Sequence, residues 1–419
     1  MLSKSLKAVL ASACLFALTV NQPVRADDNF AHLRYLASGE FNWQMKKREQ
    51  ALKDMDKCIE AYSKNAGAYA RRANMRGAMG DSKGALDDCN TALNLKPNLT
   101  DALRLRAKAK TALEDYTGAI EDFNALIKKD PLDARLFLAR ADVYSVSDKF
   151  DLAKKDIDKA STLDPPQDGL QRSLLIWNLQ SKRFKDALLL AEQLVEKSPK
   201  SLDVYYFRAQ AHSGMGQNQK AIEDYTRVIK IDPKFDTAYV NRGWEKMILK
   251  DYKGSIEDSE TASRINPKHA YPVQNKALVY FIQGDFTKAA PIYKDAAILQ
   301  KTPDRRVRSH LLSAFNFKLV GKTKEAQAET ALAKAVMQKT KFSALVAYMD
   351  GSAKEDKVLA VASTKDDQLI AKTMMGIELL RLKKAKEART YLSWVASNGR
   401  ISEDETYIAK AFLDRKSLP

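Results

Sequence analysis

Histidine and cysteine are scarce in this chain: four histidines and three cysteines in 419 residues. His32, His212, His269 and His310 stand far apart, and none has a second His or Cys one helical turn away, which argues against a zinc centre. Long alternations of Val and Ile are missing too, so there is little from which to build a sheet. The apolar run Ala8–Val20 is too short to cross a bilayer of about 30 Å comfortably. No catalytic set stands out, and no cofactor is implied. Gly321-Lys322-Thr323 imitates the end of a phosphate-binding loop, but Asn316 replaces the required earlier glycine and no strand precedes it.

What the chain has instead is a fixed period. Steps of 34 residues from Ala85 land on Ala51, Ala119, Ala153, Ala187, Ala221, Ser255 and Ala289. The same step from Pro97 lands on Pro131, Pro165, Pro199, Pro233 and Pro267. Two ladders that share a period mark a repeat array, which grows in one dimension and escapes the usual count of domains per residue. Each period reads as two helices around a turn. In Ala66–Pro97, Tyr69, Ala73 and Met79 share one face, Gly80-Asp81 break the pattern, and Ala85, Cys89, Ala92 and Leu93 point inward from the second helix until proline ends it. Alanine is required where two helices of a hairpin approach closely, because overpacking such a contact costs roughly 1–3 kcal/mol. The turn residue five before it is often glycine, as at Gly80, Gly216, Gly284 and Gly321.

This spacing resembles the tetratricopeptide repeat (TPR), and Ser201–Pro233 is similar to its pattern throughout, with Tyr205, Ala209, Gly216, Ala221, Tyr225 and Pro233. The resemblance implies an all-α, right-handed superhelix of about nine to ten helix hairpins with a C-terminal capping helix. Residues 27–301 supply eight repeats, and 302–340 a ninth hairpin whose Ala326 falls 37 residues after Ala289. Residues 341–419 form a C-terminal helical region: a turn at Asp350-Gly351-Ser352, a short helix from Glu355 to Ala362, a degenerate repeat with Gly376 and Ala388, and a final amphipathic helix, Glu403–Asp414. That C-terminal region, over about residues 342–416, also loosely resembles bacterial envelope TPR adaptors of the new-lipoprotein-I type.

In a TPR stack the first helix of each hairpin faces the concave side. The resemblance therefore implies a peptide-binding groove lined by Arg71, Asn74, Arg104, Lys108, Arg135 and Arg172, then by Tyr206, Gln210, Asn241, Trp244, Tyr271 and Asn275. Such a groove is guanidinium-rich first, and aromatic and amide-rich later. Arginine pairs carboxylates bidentately, while aromatic faces and amides hold an extended chain, so the expected partner is a protein or peptide segment with acidic character. The competing reading is that the aromatics pack between helices and the arginines bond neighbouring acids. The carboxylate clamp of chaperone-binding TPRs needs a Lys and Asn set that no three successive repeats supply.

Residues 1–26 have a basic start, the apolar run, Asn21-Gln22-Pro23 and Val24-Arg25-Ala26, which resembles a secretory signal peptide cleaved after Ala26. The expected location is the periplasm or the exterior. Net charge is +17, of which Lys4, Lys7 and Arg25 contribute three. That excess favours an acidic partner or peripheral contact with an anionic envelope surface. The basic residues form no single run and no recognition motif accompanies them, which speaks against nucleic acid. Cys58 and Cys89, on second helices of adjacent repeats, are either buried thiols or a disulfide. The acidic pairs Glu121-Asp122, Glu223-Asp224 and Glu257-Asp258 recur at one place in the repeat and read as a solvated helix face.

Overall fold

The computed structural model describes residues 30–163, 166–337, 342–399 and 404–414. The expected signal segment, Cys14 and Pro165 lie outside the described residues. Among the described residues there are 23 α-helices and no strand. They fall into two compact units, one ending at Ser181 and the other beginning at Lys182.

The first unit contains the hairpins α1 (Ala31–Gln44) with α2 (Arg48–Ala61), α3 (Ala66–Ala78) with α4 (Ser82–Leu95), α5 (Thr100–Ala112) with α6 (Tyr116–Lys129), and α7 (Ala134–Val146) with α8 (Phe150–Ser161). A ninth helix, α9 (Gln167–Gln180), packs on α7 and α8. In the second unit α10 (Phe184–Lys197) packs on α11 (Leu202–Gly214), the partner of α12 (Asn218–Ile231). Three more hairpins follow: α13 (Asp236–Ile248) with α14 (Tyr252–Ile265), α15 (Ala270–Gln283) with α16 (Phe286–Leu299), and α17 (Pro303–Leu319) with α18 (Thr323–Val336). The short α19 (Ser343–Met349) and α20 (Glu355–Val361) lead to the hairpin α21 (Lys365–Arg381) with α22 (Ala385–Asn398), and α23 (Asp404–Leu413) is the last described helix.

The alanine ladder is where the hairpins close. Every member, Ser255 included, is buried, as are Ala326 and Ala388. Facing them are equally small residues. At Gly243 an added Cβ would stand 3.2 Å from the Ser255 carbonyl oxygen, so nothing larger fits without movement. The turns repeat just as strictly. Lys46, Gly80, Glu114, Asp148, Lys182, Gly216, Lys250 and Gly284, each 34 residues from the next, all take a left-handed φ between 60° and 86°. The geometry of the turn is thus imposed by the hairpin, and glycine is only its least strained occupant. Second helices begin at Asp81, Asp115, Asp251 and Asp285, whose carboxylates accept the backbone N–H three residues on.

The acidic pairs do not form one solvated face. Their glutamates are exposed, but Asp122, Asp224 and Asp258 are only 3–4% exposed, and each holds an arginine of its own hairpin's first helix. Arg106, Arg208 and Arg242 donate through two nitrogens to Asp122, Asp224 and Asp258 respectively. Arg72 with Asp88 and Arg140 with Asp156 complete the series. Several of these guanidiniums also reach back to the preceding hairpin: Arg72 to Asp56 at 2.7 Å, Arg106 to Asn90 at 3.3 Å and Arg242 to Thr226 at 3.1 Å. One side chain thereby joins three helices. A buried carboxylate is tolerated because both its oxygens are satisfied by charge-assisted donors.

The interiors of the two units differ. In the first, small clusters sit at successive hairpins. In the second, one large cluster runs from Met247 through Phe281, Phe315, Met349 and Met375 to Phe412. Cys58 and Cys89 are buried free thiols, which excludes the disulfide alternative.

Candidate functional site

Two adjoining cavities open along the first helices of the N-terminal unit. The first, of about 640 Å³, is lined by α1, α3 and α5, with Arg71, Asn74, Arg104 and Lys108 in its wall beside Glu40, Trp43 and Asp101. The second, of about 570 Å³, is lined by α5, α7 and α9, with Lys108, Arg135 and Arg172 around an apolar floor of Leu138, Val143, Val146 and Ile176. Lys108 belongs to both. The structure therefore brings together six of the twelve residues expected at a groove, because one face of each first helix is presented in the same phase at every repeat.

The cations of this groove are not bare. Arg71 pairs with Glu40, Arg104 with Asp101, and Arg172 with Asp142 at 3.5 Å. Arg135 grips Asp133 through two contacts of 2.8 Å and holds that carboxyl below its ordinary range. Lys108 pairs with no acid among the described residues. Burial pushes the Asp142 carboxyl up, and its Oδ1 has no hydrogen-bond partner. The four arginines are all about half exposed or more, so each pair is a surface pair that solvent screens to a weak contribution. An incoming carboxylate can replace the internal one at little cost.

The other six expected residues lie in the C-terminal unit, and most are engaged by their own chain. The Asn241 amide donates to the Tyr206 hydroxyl at 3.1 Å, and Gln210 bonds the same hydroxyl. The Tyr206 ring meets Tyr225 and Phe235 edge to face. Asn275 is buried, with its amide 3.5 Å from the Val240 carbonyl oxygen. Tyr271 is exposed and stacks beneath the Arg305 guanidinium at 5.4 Å. Trp244 packs perpendicular to Tyr407 of α23, at 5.6 Å between ring centres.

That last contact belongs to an arrangement the repeat period does not announce. Besides packing on α21 and α22, α23 returns to α15. Arg308 of α17 holds Asp404 at 2.8 Å and Glu405 at 2.7 Å, Gln274 donates to Asp404, and Phe412 lies against Phe281 and Phe315. Glu245, beside this seat, is 1% exposed; one oxygen accepts the Ser213 hydroxyl and the other has no partner. Burial pushes its carboxyl up to about 7. His212 packs inside its hairpin and hydrogen-bonds Gln217 at 2.7 Å. Among the described residues no group of three or more His, Cys, Asp or Glu is placed to hold a metal ion, and no helix is long and apolar enough to cross a membrane.

Comparison with known proteins matches the same segments. Tetratricopeptide repeat models match residues 104–166, 202–235 and 236–269. Among curated proteins, the chain is 22% identical over 117 residues to the Hsp70-Hsp90 organizing protein of Triticum aestivum, covering 28% of this chain and 20% of that one. It is 34% identical over 70 residues to the protein SGT1 homolog of Oryza sativa subsp. japonica, covering 17% and 19%. The chain thus spans about a fifth of the length of these relatives. A solved tetratricopeptide repeat protein from Parabacteroides merdae ATCC 43184 superposes with a TM-score of 0.50 at 17% identity, over 59% of this chain and 98% of that one. Residues 104–166 and 202–269 are tetratricopeptide repeats, and the hairpins that flank them at the same period carry the same architecture.

Proposed function

We propose that this protein is an exported scaffold, without catalytic machinery of its own, that captures segments of partner proteins in the groove of its N-terminal unit. The observation that carries the reading is the pair of adjoining cavities whose arginines are half exposed and held only by exchangeable carboxylates. A partner segment with carboxylates spaced along it takes over those pairs, while apolar side chains settle on Leu138, Val143 and Ile176. The names of the relatives, an organizing protein and others with repeats of the same kind, support a role in assembling proteins. Residues 1–26 support export, and the loose likeness to envelope adaptors supports action outside the cytoplasm.

The test is the triple variant Arg104→Glu, Arg135→Glu, Arg172→Glu, compared with wild type by cross-linking in the native cells and identification of the linked proteins. Loss of the partners with unchanged helicity and melting supports the groove. Retrieval of the same partners by the variant overturns it. Should the charge of +14 that remains beyond residues 1–26 (+17 less the three of Lys4, Lys7 and Arg25) instead attach the array to an anionic envelope polymer or lipid, binding vanishes at modest salt and ignores the triple variant.

A further inference from the structure

The C-terminal helix occupies its seat in the manner of a ligand. Its first turn carries two carboxylates, and both are received by a single arginine, Arg308, with Gln274 adding a donor to Asp404. Arginine–aspartate pairs also lock the hairpins, but this one is made once, between Arg308 and a helix that returns from 96 residues further along the chain. Three residues after Asp404, Tyr407 meets Trp244, and eight after it Phe412 enters between Phe281 and Phe315. The seat also keeps loose ends: the Thr406 hydroxyl and one Glu245 oxygen are buried without hydrogen-bond partners.

We infer that the pocket formed by Trp244, Gln274, Phe281, Arg308 and Phe315 is a second recognition site, for an amphipathic partner helix with paired acids in its first turn and aromatics three and eight residues further on, and that α23 is its resident, exchangeable occupant. The site is separate from the N-terminal groove and stands or falls without it. A partner helix of this chemistry competes with α23, so the free site is the minor state until the partner arrives, and apparent affinity is reduced by the fraction open. Ionisation of Glu245 weakens the resident's hold from beneath Tyr407. The titratable groups around that carboxyl are Tyr225 of α12 and Tyr407 of α23, with the Ser213 hydroxyl of α11 as its donor.

The probe is a labelled synthetic peptide of residues 400–414, added to the full-length protein, with binding read by fluorescence anisotropy. In the Asp404→Lys, Glu405→Lys variant the resident helix loses its arginine, and the peptide binds at least about tenfold more tightly than to wild type. Adding Arg308→Glu to that variant restores charge matching within the chain and abolishes capture. Changing Arg104, Arg135 and Arg172 to Glu leaves peptide binding unaltered, which separates this site from the N-terminal groove. A folded double variant that ignores the peptide, a wild type that binds it equally well, or capture that survives Arg308→Glu overturns the proposal. Hydrogen exchange on the unaltered protein decides the matter even if the variants do not fold. Amides of α23 should exchange faster than those of α21 and α22, and exchange of all three only by global unfolding refutes an exchangeable occupant.

Discussion

Arg106 and Asp122 meet across their hairpin through two parallel contacts, Nε to Oδ2 at 2.9 Å and Nη2 to Oδ1 at 2.6 Å, and the same guanidinium reaches Asn90 in the hairpin before it. The chain itself shows what happens when the pair is dispensed with. In the fifth repeat the positions equivalent to arginine and aspartate are Leu174 and Leu190, so both partners are absent together. Asp122 keeps Lys110 as a second cation, whereas Asp156 has Arg140 alone among the described residues, so Arg140→Ala should cost about 3 kcal/mol by leaving Asp156 buried and unpaired. Arg140→Leu with Asp156→Leu should fall within about 1 kcal/mol of wild type. Urea midpoints for the two variants check this, and equal losses in both would refute it.

The left-handed turns offer a stabilising change. Glu114 and Lys250 hold φ of 66° and 65° where other repeats have glycine. Replacing either with glycine relieves backbone strain of about 1 kcal/mol per site, so the melting temperature rises for each and the two effects add. Gly216→Val, at φ 71°, should move it the other way.

Stability should fall with pH on account of Glu245. Folding raises this carboxyl from 4.5 to about 7, so the native state binds the proton more tightly than the unfolded chain does. Its favourable state is intact below about 4.5, declines between there and about 7, and levels off above. Glu245→Gln removes this dependence and gains about 3 kcal/mol at pH 8 relative to pH 4. Denaturation curves across that interval for wild type and variant supply the measurement.

The two described cysteines should be silent toward thiol reagents. Burial raises both, Cys89 to about 12, leaving almost no thiolate at neutral pH. Neither should be modified in the native protein, and both should react at once in denaturant. Rapid labelling of the folded chain would contradict the buried placement.

The hairpins could be read from the sequence because alanine and proline recur at a strict period and each has a local physical reason to be where it is. The residues that line the two N-terminal cavities follow from the same reason: once the period is known, the phase of each first helix is fixed, and Arg71, Arg104 and Arg135 fall on its inner face. Three things escaped that reading. The buried aspartates sit next to exposed glutamates in Glu121-Asp122 and its equivalents, so a paired acidic motif hides two opposite environments. For the arginines of the groove the sequence left two readings, open to a ligand or bonded to neighbouring acids, and only coordinates reveal whether two such charges meet. The return of α23 to Gln274, across 130 residues of chain, leaves no mark in a 34-residue period, because a contact made once has no periodicity.

The seat of the last helix has a consequence for quality control. Synthesis reaches Asp404 only after every other element has been made, so until then the rings of Phe281 and Phe315 and the Arg308 guanidinium lack their covering. A product cut or stopped before Asp404 displays that greasy, charged notch to proteases, while one that carries α23 conceals it for as long as the helix is seated. The ten residues of α23 therefore report that synthesis has passed Asp404.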